Sequence, residues 1–170
     1  MSIAQSMLSE FDHEMANTRK TLERIPEDKL SWKPDPRSMS LGQLAGHIVE
    51  MTGWGTMTLQ TDSLNMDPGS HTPLVLTSRA QALQEFDKNQ QGLRAALSSA
   101  TDEDMMKTWT LNIGGTPLFS MPKVAVMRSM IMNHIIHHRA QLTVYYRLNG
   151  VPVPALYGPS ADEGAMQASA

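Results

Sequence analysis

The stretch from Ser120 to Gly150 constrains the fold of this chain more than any other segment, because its pattern suits one long helix. Ser120 is a favourable helix N-cap, and Pro122 is tolerated in a first turn, where a missing N–H costs no intrahelical bond. Asn149 and Gly150, followed by Pro152, form a strong stop signal. No glycine or proline lies between these signals. The segment therefore predicts a single uninterrupted helix.

Two histidines lie on the apolar stripe of this predicted helix. The stripe recurs at steps of three and four residues, as expected for a face that packs on a core. Its members are Val124, Met127, Ile131, His134, His138, Leu142 and Tyr145. His134 and His138 are thus one turn apart, with their Cβ atoms about 5–6 Å from each other. Two imidazoles at that spacing can bind one metal ion at about 2.0–2.1 Å each.

A third histidine, His137, follows closely in the same segment. On a helical period it lies about 60° around the axis from His134. It is an alternative metal ligand, a hydrogen-bonding neighbour of a ligand, or a surface residue. The apolar stripe favours His134 with His138 as the metal-binding pair.

Three earlier segments also predict helices, because each opens with a Ser-x-x-Gln capping box and carries apolar residues at helical spacing. They are residues 2–25, 40–61 and 78–99. In the second of these segments His47 shares a face with Leu44, Met51 and Trp54. His47 is therefore predicted to point into the core.

The connections between helices are of two kinds. Residues 62–76 are rich in Asp, Ser, Asn, Gly and Pro and predict a loop that, stretched, spans about 50 Å. Residues 109–119 surround a Gly-Gly pair and predict a small hairpin before the last helix. We expect one all-α domain over residues 1–170, a four-helix bundle with two long connections and a tail that frays from about residue 164.

Three inward-pointing histidines, His47, His134 and His138, suggest a metal site. A buried imidazole needs partners for both ring nitrogens, and a divalent ion accepts a lone pair from each neutral ring. Three histidines with water in an open position are the ligands of a catalytic zinc site. Hydrogen-bonded core histidines without metal are the alternative.

The sequence identifies candidate catalytic groups less clearly than it identifies the candidate metal ligands. No glutamate follows His134, so the general base of the H-E-x-x-H metalloprotease motif is missing. Glu50, almost one turn after His47, is the nearest carboxylate and a candidate base, although a solvated helix residue fits equally well. Arg139 and Tyr157 are candidates for orienting a substrate, and packing or surface contacts are the alternative for each.

Composition excludes several classes of function. The formal net charge is −3, and no basic block is present, so nucleic acid is not an expected partner. No run of 18 apolar residues and no signal-peptide pattern occurs, so we expect a cytoplasmic protein without a membrane span. The chain has no cysteine, so a metal site must use His, Asp, Glu or water.

Four segments, in this order and spacing, resemble the DinB/YfiT-like family of bacterial metal-binding four-helix bundles. They are Leu30-Ser-Trp-Lys-Pro34, Ser38-Met-Ser-Leu-Gly-Gln-Leu-Ala-Gly-His47, His134-x-x-His-His-Arg-Ala-Gln-Leu142 and Pro154-Ala-Leu-Tyr-Gly-Pro-Ser-Ala-Asp162. The resemblance implies an up-down-down-up bundle and a homodimer. It also implies a nickel or zinc ion on His47, His134 and His138, with water completing the ligands. Ala140 stands where relatives often have Gly, a small change beside the site.

The resemblance also implies a range of functions. The family includes S-transferases and isomerases that use low-molecular-weight thiols, as well as metal-dependent hydrolases. We therefore expect a metal-dependent enzyme that activates a bound thiol or water for small-molecule S-transfer or hydrolysis. The alternative is a non-catalytic metal-binding or stress-related interaction protein. The family name refers to induction by DNA damage, which concerns regulation and implies no binding to DNA.

Overall fold

Helices and a small sheet make up the described part of the chain, residues 2–69 and 71–164 of a computed structural model. The helices are α1 (Ile3–Leu22), α2 (Leu41–Gln60), α3 (Arg79–Ser99), α4 (Asp102–Met106), α5 (Lys123–Val126) and α6 (Asn133–Leu148). The strands are β1 (Ser63–Met66), β2 (Thr108–Ile113) and β3 (Thr116–Pro122). A 3₁₀ turn, Glu27–Lys29, precedes α2, and a π-helical segment, Met127–Met132, joins α5 to α6.

The predicted starts of the first three long helices are confirmed by their caps. Ser2, Ser40 and Ser78 each accept a hydrogen bond from the backbone N–H three residues later. Gln43 completes the box of α2, since its Oε1 accepts from the backbone N–H of Ser40 at 2.8 Å. These local bonds satisfy N–H groups that have no intrahelical partner, so they set where each helix begins.

The hydrophobic core lies between α1, α2, α3 and α6. Helix α2 packs on α3 and α6, and α1 packs on the same two helices. Gly55 lets α2 approach α3 closely, because a Cβ at this position would lie 2.6 Å from Cδ2 of Leu93. This packing places the face of α2 that carries His47 against the helix that carries His134 and His138.

The predicted fold class, an all-α up-down-down-up four-helix bundle, is wrong. The chain also forms a three-stranded mixed sheet in the order β1-β2-β3. The predicted hairpin is present as antiparallel β2 and β3, and both Gly114 and Gly115 have positive φ at its turn. Strand β1, however, falls in the segment predicted as a loop, and it pairs in parallel with β2. Ser63 of β1 pairs with Thr110 of β2. Because this partner lies far along the chain, the residues of β1 by themselves do not reveal the pairing.

The last helical segment also starts later than predicted. Ser120 lies in β3, where its hydroxyl is 2.8 Å from that of Thr110, and Pro122 is the N-cap of α5. Pairing with β2 satisfies the backbone there, so the helix begins only at Lys123.

The π-helical segment changes which residues of the last helical segment face the core. A π turn contains an extra residue and therefore rotates the face that follows. Arg139 and Tyr146, outside the predicted stripe, are fully buried, whereas Val124 and Tyr145 are only partly buried.

Two further expectations concern the ends of the chain and the membrane. In the described residues, no helix combines the length and the hydropathy that crossing a membrane requires. The predicted fraying of the tail falls on residues 165–170, which lie outside the described residues.

Candidate metal centre

Ring nitrogens of His47, His134 and His138 converge between α2 and α6. The Nε2 atom of His134 lies 3.4 Å from Nε2 of His47 and 2.8 Å from Nε2 of His138. One nitrogen from each of the three rings lies within 4.8 Å of the others. His138 is buried, and the other two are partly buried. The three residues predicted as metal ligands from spacing are thus brought together into a group that can bind a metal ion.

Gln141 determines the tautomer of His138. Its Oε1 lies 2.8 Å from Nδ1 of His138 and accepts the proton on that nitrogen. In a neutral imidazole only one nitrogen carries a proton, so Nε2 of His138 presents a lone pair to the other two rings. Such a hydrogen bond at the remote nitrogen is what orients a histidine that binds metal.

Three converging rings cannot satisfy one another without a cation. A hydrogen bond across the 2.8 Å contact would need a proton on Nε2 of His134, because Nε2 of His138 is a lone pair. A neutral His134 that donates to the Met130 backbone through its other nitrogen has no proton on Nε2. A proton on Nε2 of His47 could then be donated to only one of the two remaining lone pairs. A single positive ion among the three nitrogens would accept all three lone pairs at once. The donor set therefore fits a divalent metal.

Burial keeps these histidines neutral. Burial lowers the pKa of His47 from 6.5 to about 4, and the neighbouring charges of His138 and His134 add to the effect. Burial also lowers the pKa of His134 and of His138, although the hydrogen bonds that these rings donate to the Met130 backbone and to Gln141 respectively act in the opposite direction. A metal ion therefore competes with few protons for these rings near neutral pH.

His137, whose role the sequence leaves open, is exposed and lies outside the converging group. Its Nε2 accepts a hydrogen bond of 3.0 Å from Nε2 of Gln141, the residue that also orients His138. His137 is thus a surface residue one hydrogen bond removed from a predicted ligand.

A cleft of about 360 Å³ opens beside His47. Its lining residues are Arg37, Ser38, Met39, Gln43, His47, Glu50, Trp54, His71 and Pro73. Glu50 accepts a 2.8 Å hydrogen bond from the backbone N–H of Leu74 through Oε1, so the extended segment 71–78 forms one wall. Gly46 permits this approach, because a Cβ there would lie 2.5 Å from the carbonyl oxygen of Leu74.

His71 belongs to this cleft, which sequence reasoning missed. His71 lies in the segment predicted as a loop, residues 62–76, and its side chain is 35% exposed. The ring nevertheless packs edge-on against Trp54 at 5.6 Å between centroids, and its Nε2 lies 3.7 Å from Oε2 of Glu50. No local pattern marks this contact, because it depends on how the segment after β1 folds back onto α2.

A smaller cavity of about 60 Å³ is lined in part by His134. Apolar side chains of α2, the sheet and the π-helical segment line it, among them Trp109, Phe119 and Met130. The converging histidines therefore border two spaces, an open, mixed cleft at His47 and a small apolar cavity at His134.

Arg139 and Tyr157, the other candidates for a catalytic role, are brought together with each other. Arg139 is 1% exposed, and its Nη2 donates to Oε2 of Glu14 at 2.6 Å. The hydroxyl of Tyr157 donates to the same Oε2 at 2.7 Å and also contacts the Arg139 guanidinium. These bonds hold α6 and the tail against α1. For both residues they favour a role in packing over a role in orienting a substrate.

Comparison with known proteins identifies the family of this chain. A model of the DinB superfamily matches residues 10–142. The chain belongs to the DinB superfamily. This DinB-superfamily chain is 27% identical over 158 residues to the uncharacterised protein YrdA of Bacillus subtilis, covering 93% of this chain and 90% of that protein. The resemblance noted from the sequence is thereby confirmed.

Solved structures support the same placement. A DinB-like protein of Bacillus cereus superposes with a TM-score of 0.69 at 28% identity, covering 90% of this chain and 97% of that one. A DinB-like protein of Bacillus subtilis superposes with a TM-score of 0.65 at 21% identity, covering 88% of this chain and 96% of that one. At this identity the similarity concerns the fold alone. The DinB fold therefore extends over nearly the whole described chain.

Proposed function

We propose that this DinB-superfamily chain is a metal-dependent enzyme in which His47, His134 and His138 bind one zinc or nickel ion. The observation that carries the proposal is the convergence of three neutral ring nitrogens beside an open cleft. Tetrahedral ligands at about 2.0–2.1 Å from an ion are roughly 3.3 Å apart. The 3.4 Å separation of His47 and His134 fits this value, and the 2.8 Å contact of His134 with His138 must widen.

The chain's own residues would hold and orient this centre. Gln141 keeps Nε2 of His138 free as a ligand atom, and the cleft beside His47 admits a small molecule. When bound, the ion supplies Lewis acidity that lowers the pKa of a thiol or water in its open position. A non-catalytic metal-binding or stress-related interaction protein would instead close the centre with a fourth protein ligand. The open cleft favours the enzyme.

Small-molecule S-transfer with a low-molecular-weight thiol is the preferred reaction class, ahead of hydrolysis. A free thiol has a pKa of about 8.5, far below that of bulk water at about 15.7, so a thiol needs less help to become a nucleophile near neutral pH. S-transfer therefore requires no protein base in addition to the centre.

The same proposal includes a homodimer in the cytoplasm. Val144 and Leu148, one turn apart on α6, are 56% and 61% exposed and offer an apolar surface to a second copy. Sedimentation velocity of the untagged protein and of a Val144→Glu variant tests the dimer. A wild-type monomer at micromolar concentration would contradict it.

Metal content tests the central claim. Elemental mass spectrometry of untagged protein is expected to find about one zinc or nickel per chain in the wild type and none above background in His138→Ala. His13→Ala, at an exposed position on α1, serves as the matched control and should keep its metal. A wild type without metal, and without a thermal shift on adding zinc or nickel, would overturn the proposal. If the wild type does contain metal, the metal-loaded protein would be assayed for thiol transfer to 1-chloro-2,4-dinitrobenzene.

A further inference from the structure

Glu50, which lines the cleft beside His47, has one buried carboxylate oxygen without a hydrogen-bond partner in the described residues. Its side chain is only 15% exposed. Oε1 is occupied by the backbone N–H of Leu74, whereas Oε2 has no hydrogen-bond donor in the part of the chain that the structure describes. The nearest ring nitrogen, Nε2 of His71, lies 3.7 Å away, beyond hydrogen-bonding distance.

The fold holds this oxygen in place rather than leaving it to rotate. The bond from Leu74 fixes one end of the carboxylate, and Gly46 permits the close approach on which that bond depends. A buried carboxylate oxygen without a donor is costly, and buried polar groups in native proteins are almost always paired. A fixed, unpaired acceptor on a residue that lines a cleft therefore indicates a donor that arrives with a ligand.

The surroundings favour a positively charged donor. Among the described residues, no lysine or arginine forms an ion pair with Glu50, and the contact found at its Oε2 is with the ring of His71 at 3.7 Å. Arg37 also lines the cleft, but its Nε lies 3.1 Å from Asp35 and its side chain is 92% exposed. The indole of Trp54, which forms part of the same wall, attracts cations through its ring face. Hydrogen bonds between an ammonium and a carboxylate are about twice as strong as neutral ones.

We propose that Oε2 of Glu50 recognises an ammonium group on the small molecule that binds beside the three histidines. This inference rests on the proposed function for its location, because His47 and Glu50 line the same cleft. It narrows the thiol of the proposed reaction to one that carries an amino group. Glu50 is thus a specificity residue that binds substrate, and no proton transfer is assigned to it.

Two thiols that differ in one group test the proposal. Cysteamine and 2-mercaptoethanol have the same length but carry an ammonium and a hydroxyl respectively. Their dissociation constants would be measured by isothermal titration calorimetry on zinc-loaded wild type and on Glu50→Gln, which retains an acceptor for Leu74. Glu103→Gln, exposed on α4, controls for loss of one negative charge. The amine of cysteamine can also bind zinc, but that contribution is present in every variant.

The expected result is a loss of roughly tenfold in cysteamine affinity in Glu50→Gln, with 2-mercaptoethanol affinity unchanged within about twofold. Glu103→Gln should bind both thiols as the wild type does. Equal affinities of wild type and Glu50→Gln for cysteamine would overturn the inference and leave the proposed function standing. Should Glu50→Gln fail to fold, Glu50→Asp keeps the charge but withdraws the oxygen, and it should show the same selective loss.

A thiol-free probe separates this inference from the proposed function. Propylamine should shift the Trp54 indole NMR signal of the wild type and leave that of Glu50→Gln unchanged, whether or not metal is bound. If neither thiol binds zinc-loaded wild type but propylamine gives this pattern, the proposed S-transfer reaction fails and the ammonium site stands. Equal shifts in both proteins, or no shift in either, would overturn the ammonium site.

Discussion

The guanidinium of Arg139 lies inside the core against the carboxylate of Glu14, with Nη2 2.6 Å from Oε2. The two side chains are 1% and 7% exposed. Nη1 of Arg139 also donates to the backbone carbonyl of Glu14 at 2.9 Å and to the Thr18 hydroxyl at 3.1 Å. This buried pair joins α6, which carries two of the histidines, to α1.

Replacing Arg139 with alanine is expected to lower the free energy of unfolding by about 3–5 kcal/mol, because Glu14 would be left as an unpaired buried charge. Urea denaturation followed by circular dichroism measures the loss. Arg94→Ala is the matched control. Its guanidinium pairs with Asp12 on the surface, where both side chains are about half exposed, and the expected loss is below about 1 kcal/mol. Equal losses would show that the buried pair has no special role.

Removing the hydroxyl of Tyr157 separates its two alternative roles. Tyr157→Phe deletes the donor to Glu14 and is expected to cost about 1–2 kcal/mol of stability. Metal content and any thiol-transfer rate should stay at the wild-type level, because the hydrogen bonds of Tyr157 go to Glu14 and Arg139. A variant of unchanged stability with a strongly reduced rate would instead identify Tyr157 as a substrate-orienting residue.

Two glycine-to-alanine substitutions are expected to act in opposite directions. Gly46→Ala places a Cβ 2.5 Å from the Leu74 carbonyl oxygen, and the overpacking should cost roughly 1–3 kcal/mol. Gly92→Ala, in α3, meets only the Thr56 hydroxyl at 3.6 Å, and improved helix propensity should add about 0.5–1 kcal/mol. Thermal unfolding of both variants checks the pair. A stable Gly46→Ala protein would mean that the segment around Leu74 is not held against α2.

The pH dependence of the metal-free protein follows from the pKa of His47. Burial lowers this pKa to about 4 from an ordinary value of 6.5, so the unfolded chain binds more protons between these two pH values. Stability is therefore lost as the pH falls from 6.5 towards about 4, and this contribution changes no further below that. His134 and His138, whose pKa values are also lowered, act in the same direction.

His47→Gln removes one of these contributions. With a chelator present, urea midpoints measured between pH 7 and pH 4 should fall less steeply in His47→Gln than in the wild type. Parallel curves would mean that His47 titrates in the folded protein as it does in the unfolded chain. Added zinc should raise the wild-type midpoint at pH 7 and lose its effect as protons displace it from the histidines.

Elements that depend on neighbours within a few residues could be predicted well. The three serine caps act on N–H groups three residues away, so helices α1, α2 and α3 begin where these serines stand. The spacing of His134 and His138 is likewise a property of one helix. The Gly-Gly turn of the hairpin needs positive φ at two consecutive residues, which glycine adopts without strain.

The misplaced start of the last helix shows the limit of local signals. Ser120 has the chemistry of an N-cap, but pairing of β3 with β2 competes for the same backbone and prevails. Strand β1 was missed for a related reason, since four residues carry too weak a pattern to reveal a partner in β2. The expected all-α class failed at the two segments, β1 and the start of the last helix, where backbone pairing with β2 decides the structure.

By itself the sequence determined the starts of α1, α2 and α3, the hairpin turn and the separation of His134 and His138 on α6, because each depends on contacts along one local segment. Only the tertiary structure decided that His47 meets His134 and His138, that Glu50 faces a cleft with His71, and that Arg139 belongs to the core. Each of these contacts joins residues distant in the chain. Their geometry follows from how helix faces pack and how strands pair, and a local pattern does not encode it.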